Sequence, residues 1–197
     1  MKCLPTMQKA IEWIEQGLIG QLEIVKVDFY KRELIDPKLA IFNANEGGGL
    51  MHDFGVYALA FVTSFLGGMT EIKHCEKRKS TFDIDADWQI SLESEGIKAL
   101  VSLSSNFKGA SKAALIGSKG TIEWDAQFNR TNRIVRYDEF GKQQEIFLTE
   151  YSSDGFEYEI AEVRRCIKKG LQQSGIVSLE ASLATLRLME RLCSEKN

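Results

Sequence analysis

The sequence predicts an α+β fold, a large, mainly antiparallel open sheet with helices packed on one face, and no Rossmann domain in this chain. Strand-like runs follow one another from Glu71 to Thr149, three of the connections being tight glycine-bearing turns, the arrangement of an antiparallel sheet. Helical periodicity is confined to the two ends of the chain and to one central stretch. Nowhere does a strand run through a G-x-G-x-x-G turn into a helix: the pairs Gly17 with Gly20 and Gly117 with Gly120 lack the third glycine and that setting.

Taken in order, Met7, Ala10, Ile11, Ile14 and Leu18 repeat at helical spacing behind Pro5, and Gly17 and Gly20 end the run. Leu22 to Arg32, rich in β-branched and aromatic residues, is a strand. Glu33 to Glu46, with Pro37 and two asparagines, fits neither period and reads as a long loop delivering the glycines 47 to 49. A helix then begins, its stripe formed by Leu50, Met51, Phe54, Ala58, Phe61, Val62 and Phe65, and Gly67 and Gly68 close it. Strands are predicted at Glu71 to Arg78, Asp87 to Ser94 and Lys98 to Phe107, the last two joined by a tight turn at Glu95 and Gly96. Alternation is clearest in Trp88, Ile90 and Leu92 and in Ala99, Val101 and Leu103. Lys112 to Ile116 and Thr121 to Trp124 flank the Gly117 to Gly120 turn, and Arg133 to Tyr137 and Gln144 to Thr149 flank Asp138 to Lys142. Two closing helices carry Phe156, Ile160, Val163 and Ile167, then Leu179, Leu183, Leu186, Met189 and Leu192, and both stripes are expected to bury on the sheet.

The 197 residues suit one domain able to bury a full core. A formal charge of -3, with acids and bases interspersed, points away from nucleic acid and from charged membrane surfaces. Four cysteines scattered without C-x-x-C or histidine spacing argue against zinc and against a disulfide framework, and imply reduced thiols. No stretch approaches the roughly 20 apolar residues of a membrane span, and no signal-type apolar region follows Lys2. A cytoplasmic location is expected.

Chemistry concentrates at Asn45 to Phe65. Three successive glycines permit backbone angles closed to other residues and a close approach by a ligand or another backbone. Asp53 lies in the first turn of the following helix, where the dipole favours a carboxylate, and Tyr57 follows four residues later on nearly the same side. Each has an ordinary structural reading, since first-turn acids stabilise helices and tyrosines border apolar stripes. A metal hydrolase built on His52, Asp53 and His74 is disfavoured because His74 sits on a distant strand without a ligand cluster.

The segment G-G-G-L-M-H-D-F-G-V-Y, residues 47 to 57, resembles the G-G-G-x-L-x-D-x-G-x-[HY] signature of the Gfo/Idh/MocA family of NAD(P)-dependent oxidoreductases. Tyrosine at position 57 is similar to the branch that holds dimeric dihydrodiol dehydrogenase, xylose dehydrogenases and glucose-fructose oxidoreductase. The helix and glycine turn from Pro5 to Leu22, the hairpin Ala114 to Trp124 and the two closing helices are similar to that family's second domain in the same order.

The resemblance implies that residues 1–197 are a single C-terminal substrate-binding and dimerisation domain, and that the family's N-terminal dinucleotide-binding domain, with its glycine fingerprint and E-K-P lysine, is absent from this chain. NAD or NADP is then expected in the full-length enzyme, with none bound to this chain alone and no metal. It also implies a sugar, cyclitol or diol substrate, Tyr57 as acid/base and Asp53 as a group orienting substrate or donors. A phenol titrates near about 10, so a neighbouring ammonium, which the family supplies from the absent domain, would be needed to favour the phenolate. Gly48 and Gly49 would admit the substrate closely, with Phe42 and Arg130 as further contacts and Lys31, Arg32, Lys38 and Asn129 as candidates beside their reading as solvated loop residues. A homodimer through the open sheet face is expected, and strands such as Thr81 to Ser94 carry more apolar and aromatic residues than a solvated face needs. The alternative is a free-standing, non-catalytic binding or dimerisation module of the same fold.

Overall fold

The structure, a computed structural model, describes residues 1–32, 39–81, 83–106 and 108–195. Lys38, with the first part of the predicted 33–46 loop, Phe82 in the Thr81 to Ser94 run, and Phe107 at the end of a predicted strand lie outside the described residues.

Helix α1 spans Pro5–Glu15, with proline in the first turn where a missing N–H costs nothing. Strand β1, Leu22–Tyr30, follows, and then short 3₁₀ turns at Ala40–Phe42 and Ala44–Glu46. A five-residue π turn, Met51–Gly55, runs into α2, Val56–Val62. Seven strands come next: β2 Glu71–Lys79, β3 Asp85–Ser94, β4 Ile97–Ser104, β5 Lys112–Gly117, β6 Gly120–Trp124, β7 Arg133–Asp138 and β8 Gln143–Leu148. Helices α3, Phe156–Lys168, and α4, Leu179–Ser194, close the chain, the latter capped by the Ser178 hydroxyl accepting from the Ala181 amide at 3.1 Å.

These strands form one sheet in the order β2-β3-β4-β1-β5-β6-β7-β8. Every neighbouring pair is antiparallel except β1 with β4, where Val25 sits opposite Ala99 and Val27 opposite Val101. The first strand is therefore inserted at the centre of the sheet, between β4 and β5. One face is covered: Val25, Val27, Trp88, Ile90, Leu92, Val101, Leu103, Leu115 and Ile122 join residues of α1, α2 and α4 in a continuous core. Phe61 of α2 stands at its centre, with ring centroids 5.0 Å from Trp124, 5.5 Å from Phe128 and 5.2 Å from Phe65.

Several expectations are corrected. The apolar residues of Thr81 to Ser94 do not supply the open face: Trp88, Ile90 and Leu92 all point into the covered side, and the open face presents Lys26, Asp28, Gln89, Ser91 and Ser102 around a half-exposed Leu100. The α3 stripe does not bury on the sheet, since Phe156, Ile160, Val163 and Ile167 are each between 53% and 72% exposed. In α4 only the distal residues Leu188, Met189 and Leu192 reach the core, while Leu179, Leu183 and Leu186 stay exposed. The central helix does not start as an α-helix, for reasons that lie in the glycine turn.

Candidate functional site

Gly49 has φ +125°, a conformation glycine alone adopts without strain, and a β-carbon there would run into the Asp85 carboxylate. That carboxylate accepts from the Met51 amide at 2.7 Å and from the Trp88 indole. Asp85 thus takes up an N–H that a normal first turn leaves unpaired, and the Asp53 amide donates back to the Gly49 carbonyl at 3.3 Å. The Val56 amide then reaches the Met51 carbonyl, five residues back, which widens the turn into a π segment. Gly55 on the inner side leaves room for the Met51 sulfur and Leu103. A β-carbon on Gly48 would lie 2.5 to 2.7 Å from the carbonyl oxygens of Ala40, Ile41 and Asn43. The space beside these glycines is therefore filled by the chain itself: they pin the 3₁₀ turns and Asp85 against the helix start.

What this turn delivers is the placement of Asp53 and Tyr57. Both line a cleft of about 730 Å³ at one end of the sheet. Its other walls are the loops that leave β1, β4 and β6, contributing Lys31 and Arg32, Lys108 to Ser111, and Gln127, Asn129 and Arg130 respectively. Tyr57 is 43% exposed, its ring held edge-on to Phe29 at 6.4 Å, and Phe29 packs in turn on Phe54 at 5.3 Å and Phe128 at 5.4 Å. A rigid aromatic row thus runs from the core to the phenol. Arg130 is oriented by its Nε donating to Gln127 Oε1 at 2.8 Å, and Lys31 Nζ sits 4.7 Å over the Phe54 ring.

Of the sequence-predicted residues, the cleft gathers Tyr57, Asp53, Lys31, Arg32, Asn129 and Arg130. Phe42, Gly48 and Gly49 are not among its lining: Phe42 ends a 3₁₀ turn, and the two glycines face backbone and Asp85. Lys108, Ser111 and Gln127 carry no mark in the sequence, where they read as ordinary loop polar residues; only the sheet order shows that these loops converge. His52 is exposed beside Asp53 while His74 lies on the open face, and among the described residues no group of three or more His, Cys, Asp or Glu could hold a metal ion. Gly20 and Gly117, from the two glycine pairs of the sequence, lie against the chain itself. A β-carbon on Gly20 would press on Ser118 and Lys119, and Gly117 abuts the Ile19 carbonyl, so these glycines lock the α1–β1 turn to the β5–β6 hairpin.

A second concavity, about 690 Å³ and largely apolar, lies between α2 and the α3–α4 pair and shares Tyr57 with the cleft. Val56, Ala60, Val163, Val177 and Leu186 line it, and the Met1 amino group pairs with Glu159 at 2.7 Å on its rim. At its floor Glu162 accepts from Arg165 at 2.6 and 2.7 Å and from the Ser174 hydroxyl. Those hydrogen bonds, the arginine's first, hold the Glu162 carboxyl down at about 2, and burial pushes the neighbouring Cys3 thiol up.

The chain is similar to known proteins over most of its length. The family profile described as the GFO/IDH/MocA C-terminal domain matches residues 7–123. Trans-1,2-dihydrobenzene-1,2-diol dehydrogenase of Bos taurus is 26% identical over 95% of this chain, and that of Xenopus laevis is 31% identical over 88% of it. The chain spans 58% and 55% of those two proteins. Among solved structures, aldose-aldose oxidoreductase from Caulobacter crescentus complexed with glycerol superposes with a TM-score of 0.78 at 20% identity, covering 94% of this chain and 56% of that one. The 3-ketoreductase KijD10 from Actinomadura kijaniata in complex with NADP and TDP-benzene gives 0.76 at 20% identity, covering 96% and 57%.

Proposed function

This chain belongs to the GFO/IDH/MocA family as a C-terminal domain of it, and from that premise we propose that it forms the substrate wall of an NAD(P)-dependent oxidoreductase acting on a hydroxyl or carbonyl group of a sugar, cyclitol or diol. The observation that carries the reading is the convergence of Tyr57 and Asp53 on one open cleft, reached through a π turn shaped by the triple glycine and Asp85. Tyr57 would exchange a proton with the substrate oxygen, because a phenol half in solvent and fixed by an aromatic row can be both reached and aimed. Asp53 would accept a hydrogen bond from a substrate hydroxyl and hold the polyol in register beside Tyr57, a contact whose value lies in positioning. Names of similar proteins support the substrate class: a dihydrodiol in one case, an aldose in the other.

The apolar groove supports a two-part architecture. Exposed apolar side chains of α3 and α4, Val163 and Leu186, line it, and it ends on Tyr57 itself. A dinucleotide-binding domain seated there would bring NAD or NADP up to the phenol, and the cofactor is expected on that domain, since this chain has no strand–turn–helix with the G-x-G-x-x-G fingerprint. Two copies would pair through the open sheet face in an interface that is hydrogen-bonded more than apolar. The test is reconstitution. Joined to a dinucleotide-binding domain from a dihydrodiol dehydrogenase, this chain should reduce NAD(P) in the presence of a diol or aldose and be silent without that domain. Folded, cofactor-loaded and still inactive hybrids across such substrates would favour a non-catalytic binding module.

A further inference from the structure

Resting on the reading of this cleft as a substrate site, we infer that the polyol it takes carries an anionic group, a carboxylate or a phosphate. The charges of the cleft run against those of the chain. The whole sequence carries -3, yet the described residues lining the cleft include Lys31, Arg32, Lys108 and Arg130 against the single carboxylate of Asp53. With Lys31 set aside, three cations from three separate loops still outnumber that acid. They do not come from one basic run in the sequence: β1, β4 and β6 each end at this point, and the sheet order gathers what the chain scatters over about a hundred positions. A neutral sugar or diol has no need of such a rim, and bringing like charges together is unfavourable unless something of opposite sign is bound.

The geometry divides the labour between the two sides of the cleft. Tyr57 and Asp53 project from the helical wall and suit hydroxyl groups. On the loop after β6, the Arg130 guanidinium is held by Gln127 through its Nε, leaving its terminal nitrogens for a planar carboxylate or a phosphate, and Gln127 itself has a backbone φ of +43°. Gly109, whose missing β-carbon leaves space for the Tyr30 ring, keeps the Lys108 loop close to β1. The result is a site with a hydroxyl-recognising side and an anion-recognising side.

The test uses the 197-residue chain itself, labelled with nitrogen-15 and titrated at low ionic strength with glucose, glucuronate, glucose 6-phosphate and NADP. Glucuronate or glucose 6-phosphate should shift the amides of Gly109, Ser111, Asn129 and Arg130 with an affinity about tenfold above that of glucose, an advantage that shrinks when salt shortens the screening length. Arg130→Gln should remove roughly three- to fivefold of that affinity without changing the rest of the spectrum. Glucose binding as tightly as glucuronate at the same amides would overturn the anionic preference and leave the cleft reading intact. Failure of every polyol to move those amides would overturn both. Tighter occupation of the same amides by NADP than by either sugar anion would assign the cations to a dinucleotide phosphate and overturn the substrate inference.

Discussion

Gly49→Ala tests the most consequential local feature of the fold, the turn that aims Asp53 and Tyr57. Alanine at φ +125° carries backbone strain of about 1–3 kcal/mol. Its methyl also occupies the place of the Asp85 carboxylate, which accepts from the Met51 amide and the Trp88 indole. Trp88 is 1% exposed and Met51 fully buried, so donors losing that partner cost about 1–3 kcal/mol more. The sum, about 2–6 kcal/mol, is a large share of the roughly 5–15 kcal/mol that holds a domain together. Urea unfolding followed by tryptophan fluorescence should show the midpoint falling by about 1–2 M with little change in slope. Gly47→Ala is the matched control. It also has positive φ, +75°, but nothing lies within 4 Å of the added methyl, so only the strain of about 1–2 kcal/mol should appear. Equal losses for the two variants, or a loss under about 1 kcal/mol for Gly49→Ala, would show that Asp85 does not organise the turn.

Two further outcomes are expected. The Glu162 carboxyl is held at about 2, below the ordinary value near 4.3, so the unfolded chain takes up its proton first on acidification; its stabilisation is complete above about pH 4.5 and is lost as pH falls toward 2. Glu162→Gln should therefore lower the melting temperature at neutral pH and flatten the acid limb of its pH dependence, and an unchanged acid limb would show that other groups govern it. Ile160→Ser and Val163→Ser, on the exposed α3 stripe, should change the stability of this chain by no more than about 0.5 kcal/mol while weakening association with a dinucleotide-binding domain; a large loss of stability would mean the stripe is already buried.

Strand alternation made much of the sheet legible in advance. Trp88, Ile90 and Leu92, and Ala99, Val101 and Leu103, face the core in phase, and cross-strand register follows from that phase. Periodicity marks the apolar face of α3 but not whether this chain covers it, because covering depends on what the rest of the fold sets against that face. The same limit explains the open face, where the apolar count of Thr81 to Ser94 was right and its side of the sheet was not. The parallel pairing of β1 with β4 left no local mark, yet it is what brings the loops after β1, β4 and β6 together around Tyr57. Asp53 and Tyr57 were visible as a spacing, but the π turn between them depends on Asp85, a residue 34 positions beyond the amide it caps. Two of the three glycines, Gly48 and Gly49, are places of close approach, and what approaches is the carbonyls of the preceding turn and Asp85.

The proposed function depends above all on Tyr57 handling the proton of a redox reaction whose cofactor sits on another domain. Its sharpest test is Tyr57→Phe in the two-domain protein, measured as kcat alongside dinucleotide affinity. The expected result is a fall in kcat of about a hundredfold or more, with dinucleotide Kd changed less than about twofold. A phenylalanine variant that turns over at the rate of the parent would contradict it.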